Sequence, residues 1–336
     1  MNGFTLSHNE NGAFDCDSDG DAKIEAAYLP GIVTLDGKAD DWDDDNIMGY
    51  TFPLLPALSP NDHENRYKDG QMTLKALHDG HSVFFLLQVP GDYRYVQGES
   101  RSCPAVALMF QVGKDATYHD MGGCKEEPGS CSNTSCRGYE VDIMHFKIGT
   151  AIPGRLYGAN IIDNINHTGR DTFGHLVDMY AWNPHCRYLD GLGPEGTGNV
   201  NNSVAQNDWQ GAWWHNSIVN SSGLLESASP YSSSTSGGTY TFEFSRPLRT
   251  LDRLQQDVQF VIGEVHKFSA AFWYPINGNP WIGSGHYSVN CDWVTLEITP
   301  AEKEGHRLFS TKLLNPLNVI SLILSLAAFG VSLFIA

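Results

Sequence analysis

The residues of this chain best suited to holding a ligand are one methionine in an apolar run and a few histidines near the C-terminal half. Met109 sits at the centre of Ala105-Val106-Ala107-Leu108-Met109-Phe110-Gln111-Val112. A buried thioether usually fills irregular space in a core, and it is also a suitable axial ligand for haem iron. Gly263-Glu264-Val265-His266-Lys267-Phe268-Ser269 offers His266 and Lys267, and Gly283-Ser284-Gly285-His286-Tyr287-Ser288 offers His286 between glycines. Glycine neighbours allow a flat ligand to come close to the backbone. In Val141-Asp142-Ile143-Met144-His145-Phe146-Lys147 the alternation puts Asp142, Met144 and Phe146 on one face and His145 and Lys147 on the other. A histidine among aromatics in such a strand reads as a hydrogen-bonded structural residue.

A second candidate is Asp15-Cys16-Asp17-Ser18-Asp19-Gly20, with oxygen ligands from Asp15, Asp17 and Asp19 at alternate positions and a glycine for the sharp turn. That is the first half of a calcium loop. The twelfth position is Ala26 instead of a bidentate glutamate, so a solvated acidic turn competes with it. No glycine-rich phosphate loop, no Gly-x-Ser-x-Gly elbow and no His-Glu-x-x-His occurs, so neither phosphoryl transfer nor hydrolysis is indicated.

Seven cysteines are present. Cys124, Cys131 and Cys136 fall in a Gly/Ser/Asn/Pro loop with no core to bury them, which suggests disulfides and an oxidising compartment. The disulfide candidates are Cys103, Cys124, Cys131, Cys136, Cys186 and Cys291, and an odd count leaves one thiol over or bonded to another chain. A zinc site from Cys124, Cys131, Cys136 and His119 or Cys103 is the rival, although the spacings are not those of compact zinc motifs. Glycosylation sequons occur at Asn133, Asn166, Asn201 and Asn220, all in expected loops.

The elements that must position these residues are strands. Leu74-Lys75-Ala76-Leu77-His78-Asp79-Gly80-His81-Ser82-Val83-Phe84-Phe85-Leu86-Leu87-Gln88-Val89 reads as a hairpin turning at Asp79-Gly80. Its second run is apolar on both faces, so both must be covered or one must line a cavity. Further strands are expected near Gln71–His78, His81–Val89, Ala105–Val112, Tyr139–Ile148, His175–Trp182, Thr239–Ser245, Asp257–Val265, Ser269–Tyr274 and Asp292–Ile298. Helical periodicity is rare among the 336 residues, and the composition is that of an all-β domain with long loops. The net charge of −18 excludes nucleic acid and docking on an anionic membrane surface. Leu35-Asp36-Gly37 and Trp42 open the ordered domain, with Trp42 plugging the edge of a core.

The expected organisation is an acidic segment over residues 1–25, one domain over 26–300 with a polar insertion at 183–238, a tether over 301–317 and an uncharged segment at 318–336. As a helix the last would span about 28 Å, the thickness of a bilayer core, so a C-terminal transmembrane helix is expected, with a signal for a lipid anchor as the alternative. The cysteines and sequons then place the domain on the extracellular or lumenal side of a single-pass membrane protein. The first residues, Met1 to Gly12, hold no apolar signal core.

In order, the Leu35-Asp36-Gly37…Trp42 opening, the Leu74–Val89 hairpin, the Met109 strand, Gly122-Gly123-Cys124, Val141–Lys147, Phe242-Glu243-Phe244-Ser245-Arg246-Pro247-Leu248 and Trp293-Val294-Thr295-Leu296 resemble the haem-binding subunit family of ethylbenzene dehydrogenase and related molybdenum enzymes. The resemblance covers roughly Ala26–Pro300. It implies an immunoglobulin-like or DOMON-like β-sandwich, similar to the cytochrome domain of cellobiose dehydrogenase, with one haem b between a Met and a Lys or His. By position Met109 is the first axial ligand and His286 the second, with His266 and Lys267 as fallbacks. The Val83–Val89 and Ala105–Val112 strands would wall the pocket.

The function expected from this is a membrane-anchored b-type cytochrome domain that passes single electrons to a redox partner or membrane-complex subunits, an electron-transfer or binding subunit more than a stand-alone enzyme. One alternative is a non-catalytic carbohydrate-binding or ligand-binding sandwich, with Trp209, Trp213, Trp214, Trp273 and Trp281 available to stack on sugar rings. The other is a structural subunit of a membrane or surface assembly with an empty pocket.

Overall fold

The computed structural model describes residues 21–31, 33–56, 67, 70–96, 98–158, 175–191, 208–220, 237–282 and 285–301. Asp15, Asp17 and Asp19, the sequons at Asn166 and Asn201, and the segment 318–336 lie outside them. Among the described residues no helix is long and apolar enough to cross a membrane. The chain divides into two units, Met1–Pro300 and Ala301–Ala336.

The strands are β1 (Lys23–Tyr28), β2 (Tyr50–Pro53), β3 (Leu55–Pro56), β4 (Gln71–His78), β5 (Ser82–Pro90), β6 (Ala105–Gln111), β7 (Val141–Lys147), β8 (Tyr157–Gly158), β9 (Leu176–Asn183), β10 (Cys186–Leu189), β11 (Gln210–His215), β12 (Thr239–Pro247), β13 (Val265–Trp273), β14 (Tyr287–Ser288) and β15 (Val294–Ile298). One short helix, α1, covers Ser217–Asn220 and ends on the fourth sequon. The strands form one continuous sheet in the order β10-β9-β7-β6-β13-β15-β1-β4-β5-β12-β11-β8. β1 lies parallel to both of its neighbours, β15 and β4.

This sheet folds on itself into an all-β sandwich. The two layers meet through inward aromatics: Phe85 of β5 lies 5.8 Å from Phe110 of β6, and Phe146 of β7 lies 5.7 Å from Phe244 of β12, ring centre to ring centre. Val83, Phe85, Leu87 and Val89 face that core, as do Val106, Leu108 and Phe110.

The β4–β5 hairpin forms because Gly80 takes a φ of +93°, which L side chains rarely adopt. The Asp79 carboxylate then accepts from the backbone N–H groups of His81 and Ser82 at 2.7 Å each. The apolar second face of β5 is covered by protein. Leu86 and Leu77 are buried there under Trp42 and Ile47, with Phe84 packed alongside.

That cover is clamped by one carboxylate. Glu243 of β12 accepts from the Trp42 indole N–H at 2.7 Å, from the Gly37 N–H at 2.6 Å and from the Asp36 N–H at 3.0 Å. Gly37, at φ +80°, lies so close to the Trp213 main chain that no Cβ would fit. Glu243→Ala should therefore strand three donors and lower the unfolding free energy by about 3 kcal/mol in urea titrations. A loss below about 1 kcal/mol would show that the clamp is dispensable.

Three sequence expectations change. The Asp257–Val265 stretch is not a strand, because side chains take up its backbone groups. The Val258 N–H donates to Asp142 and the Val258 carbonyl accepts from Arg246. The 183–238 segment is not a plain insertion, since β10 and β11 lie within it and β11 pairs along its whole length with β12. Among the cysteines, Cys124 bonds Cys136 and Cys131 bonds Cys186, and Cys291 is also disulfide-bonded. Cys103 is the free thiol. It is buried beside Val96, whose N–H donates to its sulfur at 3.2 Å, and burial pushes its pKa up to about 11.

Candidate functional site

Alternation along β6 turns Val106, Leu108 and Phe110 inward and Ala105, Ala107 and Met109 outward. Met109 lies opposite Ile143 on β7 and Ser269 on β13. It packs with Ile143, Val141, Ala116 and Ala181, and Met121, Met179 and Trp293 close around it. Two residues along, Ala107 faces His145 on one side and Ala271 on the other, and Ala105 pairs with Trp273. The floor beside Met109 is thus made of three alanines, with bulkier side chains at its margins.

Two histidines reach those margins. The His145 ring lies edge-on to Trp273 at 5.0 Å, and the His286 ring lies tilted against the same Trp273, also at 5.0 Å. Trp281 completes the wall, 5.8 Å from Trp273, with its N–H donated to the Cys103 carbonyl at 2.7 Å. His145 Nε2 is buried and has no hydrogen-bond partner among the described residues. Burial, together with the charges of Lys147 and Arg187, holds its pKa down at about 3, so the imidazole is neutral with a free lone pair. Lys147, two residues on along the same face, has its pKa lowered by burial and by Arg101.

The expected ligands separate by face. Met109, Lys267 and His286 share the outer side with His145, and Lys267 there is exposed. His266 does not join them. It turns to the inner side, edge-on to Phe260 at 5.1 Å, and its Nε2 accepts from the Val261 N–H at 3.2 Å. It is one residue out of phase with Ser269 in a two-residue period, which sends its side chain to the opposite face. The sequence alone does not mark His145 as a ligand, because its place on the face it shares with Met109, opposite Ala107, depends on the β6–β7 register.

The five tryptophans considered for sugar stacking are all buried: Trp209 and Trp213 fully, Trp214, Trp273 and Trp281 to within 9%.

Residues 39–288 match the family model described as ethylbenzene dehydrogenase. No curated protein matches the chain. Among solved structures, a protein from Bacteroides uniformis described as a candidate carbohydrate-binding protein shares 10% identity at a TM-score of 0.41, over 82% of this chain and 99% of its own. A family 9 carbohydrate-binding module from Caldicellulosiruptor kristjanssonii, in complex with glucose, shares 10% identity at a TM-score of 0.38, over 85% of this chain and 99% of its own. Likeness at that level assigns no ligand to this chain.

Proposed function

The chain belongs to the ethylbenzene dehydrogenase family, and from that premise we propose that its outer sheet face holds one haem b through Met109 and a histidine and serves single-electron transfer. The observation that carries the reading is the buried, neutral His145 Nε2 with no hydrogen-bond partner among the described residues, on the face and strand next to Met109. An orphaned buried nitrogen is costly unless something binds it. A thioether and an imidazole together make a donor set suited to iron.

The other residues fit the group as well. Ala105, Ala107 and Ala271 leave the floor low, and Trp273 and Trp281 give a flat aromatic edge. Because His145 is already deprotonated, it needs to shed no proton to bind a metal. Lys147 and Lys267 on the same face favour anionic groups such as carboxylates. When bound, haem would supply the one-electron couple, and occupation of both axial positions suits electron transfer over oxygen chemistry. Placement of the domain on a membrane through residues 318–336, outside the cytosol, remains part of this proposal.

The test is an absorption spectrum of the purified chain, before and after haemin addition. A Soret band is expected. Met109→Ala should change the reduced spectrum, and His145→Ala should weaken haem retention by roughly tenfold or more. Loss with His286→Ala and not with His145→Ala would move the second ligand to His286. A chain with no Soret band and no gain on haemin addition would overturn the reading. Binding on a glycan array without haem would favour the ligand-binding sandwich instead.

A further inference from the structure

At one end of the sandwich, between the layers and away from the outer face, lies a buried group of carboxylates. Asp142 comes from β7, Asp178 from β9 and Asp257 from the loop after β12. One carboxylate oxygen from each lies within 4.8 Å of the others. All three are buried, at 0%, 1% and 4% exposure. Asp208 adds a fourth carboxylate at the edge, where its N–H donates to Asp178 at 3.1 Å.

Arg246 is the cation that meets this group. It donates to Asp142 at 2.5 Å and stands 3.8 Å from Asp257. One guanidinium cannot balance so many buried acids. Moving unpaired carboxylates out of water costs far more than a fold can supply, so the excess must be protonated or bound to a cation.

A separate observation points to a cation. Asp190, 1% exposed and just past β10, donates its backbone N–H to the Asp178 carbonyl at 3.1 Å, and neither of its carboxylate oxygens has a hydrogen-bond partner among the described residues. One oxygen each of Asp142, Asp178 and Asp257 is likewise without a hydrogen bond. A cation bound at 2.3–2.6 Å from each ligand requires ligand oxygens no more than about 5 Å apart, which is the spacing found.

We infer that Asp142, Asp178 and Asp257 hold a divalent cation, Ca2+, beside Asp190, which locks β7, β9 and the segment after β12 together. The donors are all oxygen, which selects hard cations. They come from three separate segments, and calcium's irregular coordination suits such an arrangement better than the near-ideal octahedron that magnesium demands. The cation would supply the positive charge that Arg246 alone does not.

The full-length chain, purified without chelator and dialysed against metal-free buffer, should retain about one calcium by elemental mass spectrometry. EDTA should lower its Tm by about 5 °C or more, and CaCl2 should restore it. Tb3+ should luminesce on tryptophan excitation, since Trp209 lies 5.2 Å from the Arg246 guanidinium, and Ca2+ should quench that signal. Asp178→Asn and Asp257→Asn should each abolish the Tm response to Ca2+. If either variant fails to fold, the wild-type calcium content and EDTA response decide. No retained calcium together with an unchanged Tm in EDTA would overturn the inference, as would a response to Mg2+ but not Ca2+, or a Ca2+ response retained in folded Asp178→Asn.

Discussion

Arg246→Met should be the most damaging single substitution in the sandwich, lowering unfolding free energy by about 4 kcal/mol or more. The side chain is 1% exposed. One terminal nitrogen donates to Asp142, the other donates to the Val258 carbonyl at 3.0 Å, and the guanidinium stacks over Trp209 and Phe260. Burial works against this charge, but Asp142, Asp257 and Asp178 outweigh it and hold the pKa of Arg246 above its ordinary value. Methionine keeps much of the volume and none of the charge, so Asp142 would be left buried without its cation. Breaking a buried pair from one side costs far more than the pair contributes when intact. Arg246→Lys should fall between the two, because an ammonium keeps the charge but cannot reach both Asp142 and Val258 with a planar fork. Urea unfolding followed by tryptophan fluorescence measures this, and a loss below about 1 kcal/mol for Arg246→Met would refute the role.

The second large effect is expected from the Cys131–Cys186 disulfide. It closes a loop with a sequence separation of 55, against 12 for Cys124–Cys136. In the chain-entropy account, removing the first costs about 4 kcal/mol and removing the second about 3 kcal/mol. Packing should widen that gap. All four cysteines are buried with Tyr180 and Trp182, and the 131–186 bridge joins the loop to β10, at the edge of the sheet. Paired Cys131→Ala and Cys186→Ala substitutions, compared with paired Cys124→Ala and Cys136→Ala, test the ranking by unfolding midpoint. Equal losses, or a larger loss for the shorter loop, would contradict it.

Much of the local structure was legible from the residues alone. Strand identity depends on short-range alternation and on turn residues, so β4, β5, β6, β7 and β12 stand close to where those patterns place them. Met109 and the histidine segments were nominated by side-chain chemistry, which needs no fold. The polar average of residues 183–238 concealed β11, although its core, Ala212-Trp213-Trp214, is apolar. Gly37 and Trp42 also marked their own region, but Glu243, which clamps them, lies 201 residues beyond Trp42.

The tertiary structure alone decided how those elements meet. Alternation says that two residues share a face and never which face is covered, and a one-residue change in register exchanges the faces. The β6–β7 register sets His145 beside Met109, and the phase of β13 sends His266 away from it. The second face of β5 is covered by the Trp42 segment because the chain returns there, which nothing within Val83–Val89 could reveal. The carboxylates around Arg246 come from strands and loops scattered from Asp142 to Asp257. Each looks like an ordinary polar residue in its own segment. Only burial of all of them against one guanidinium turns them into an electrostatic imbalance, and that is a property of the packed layers.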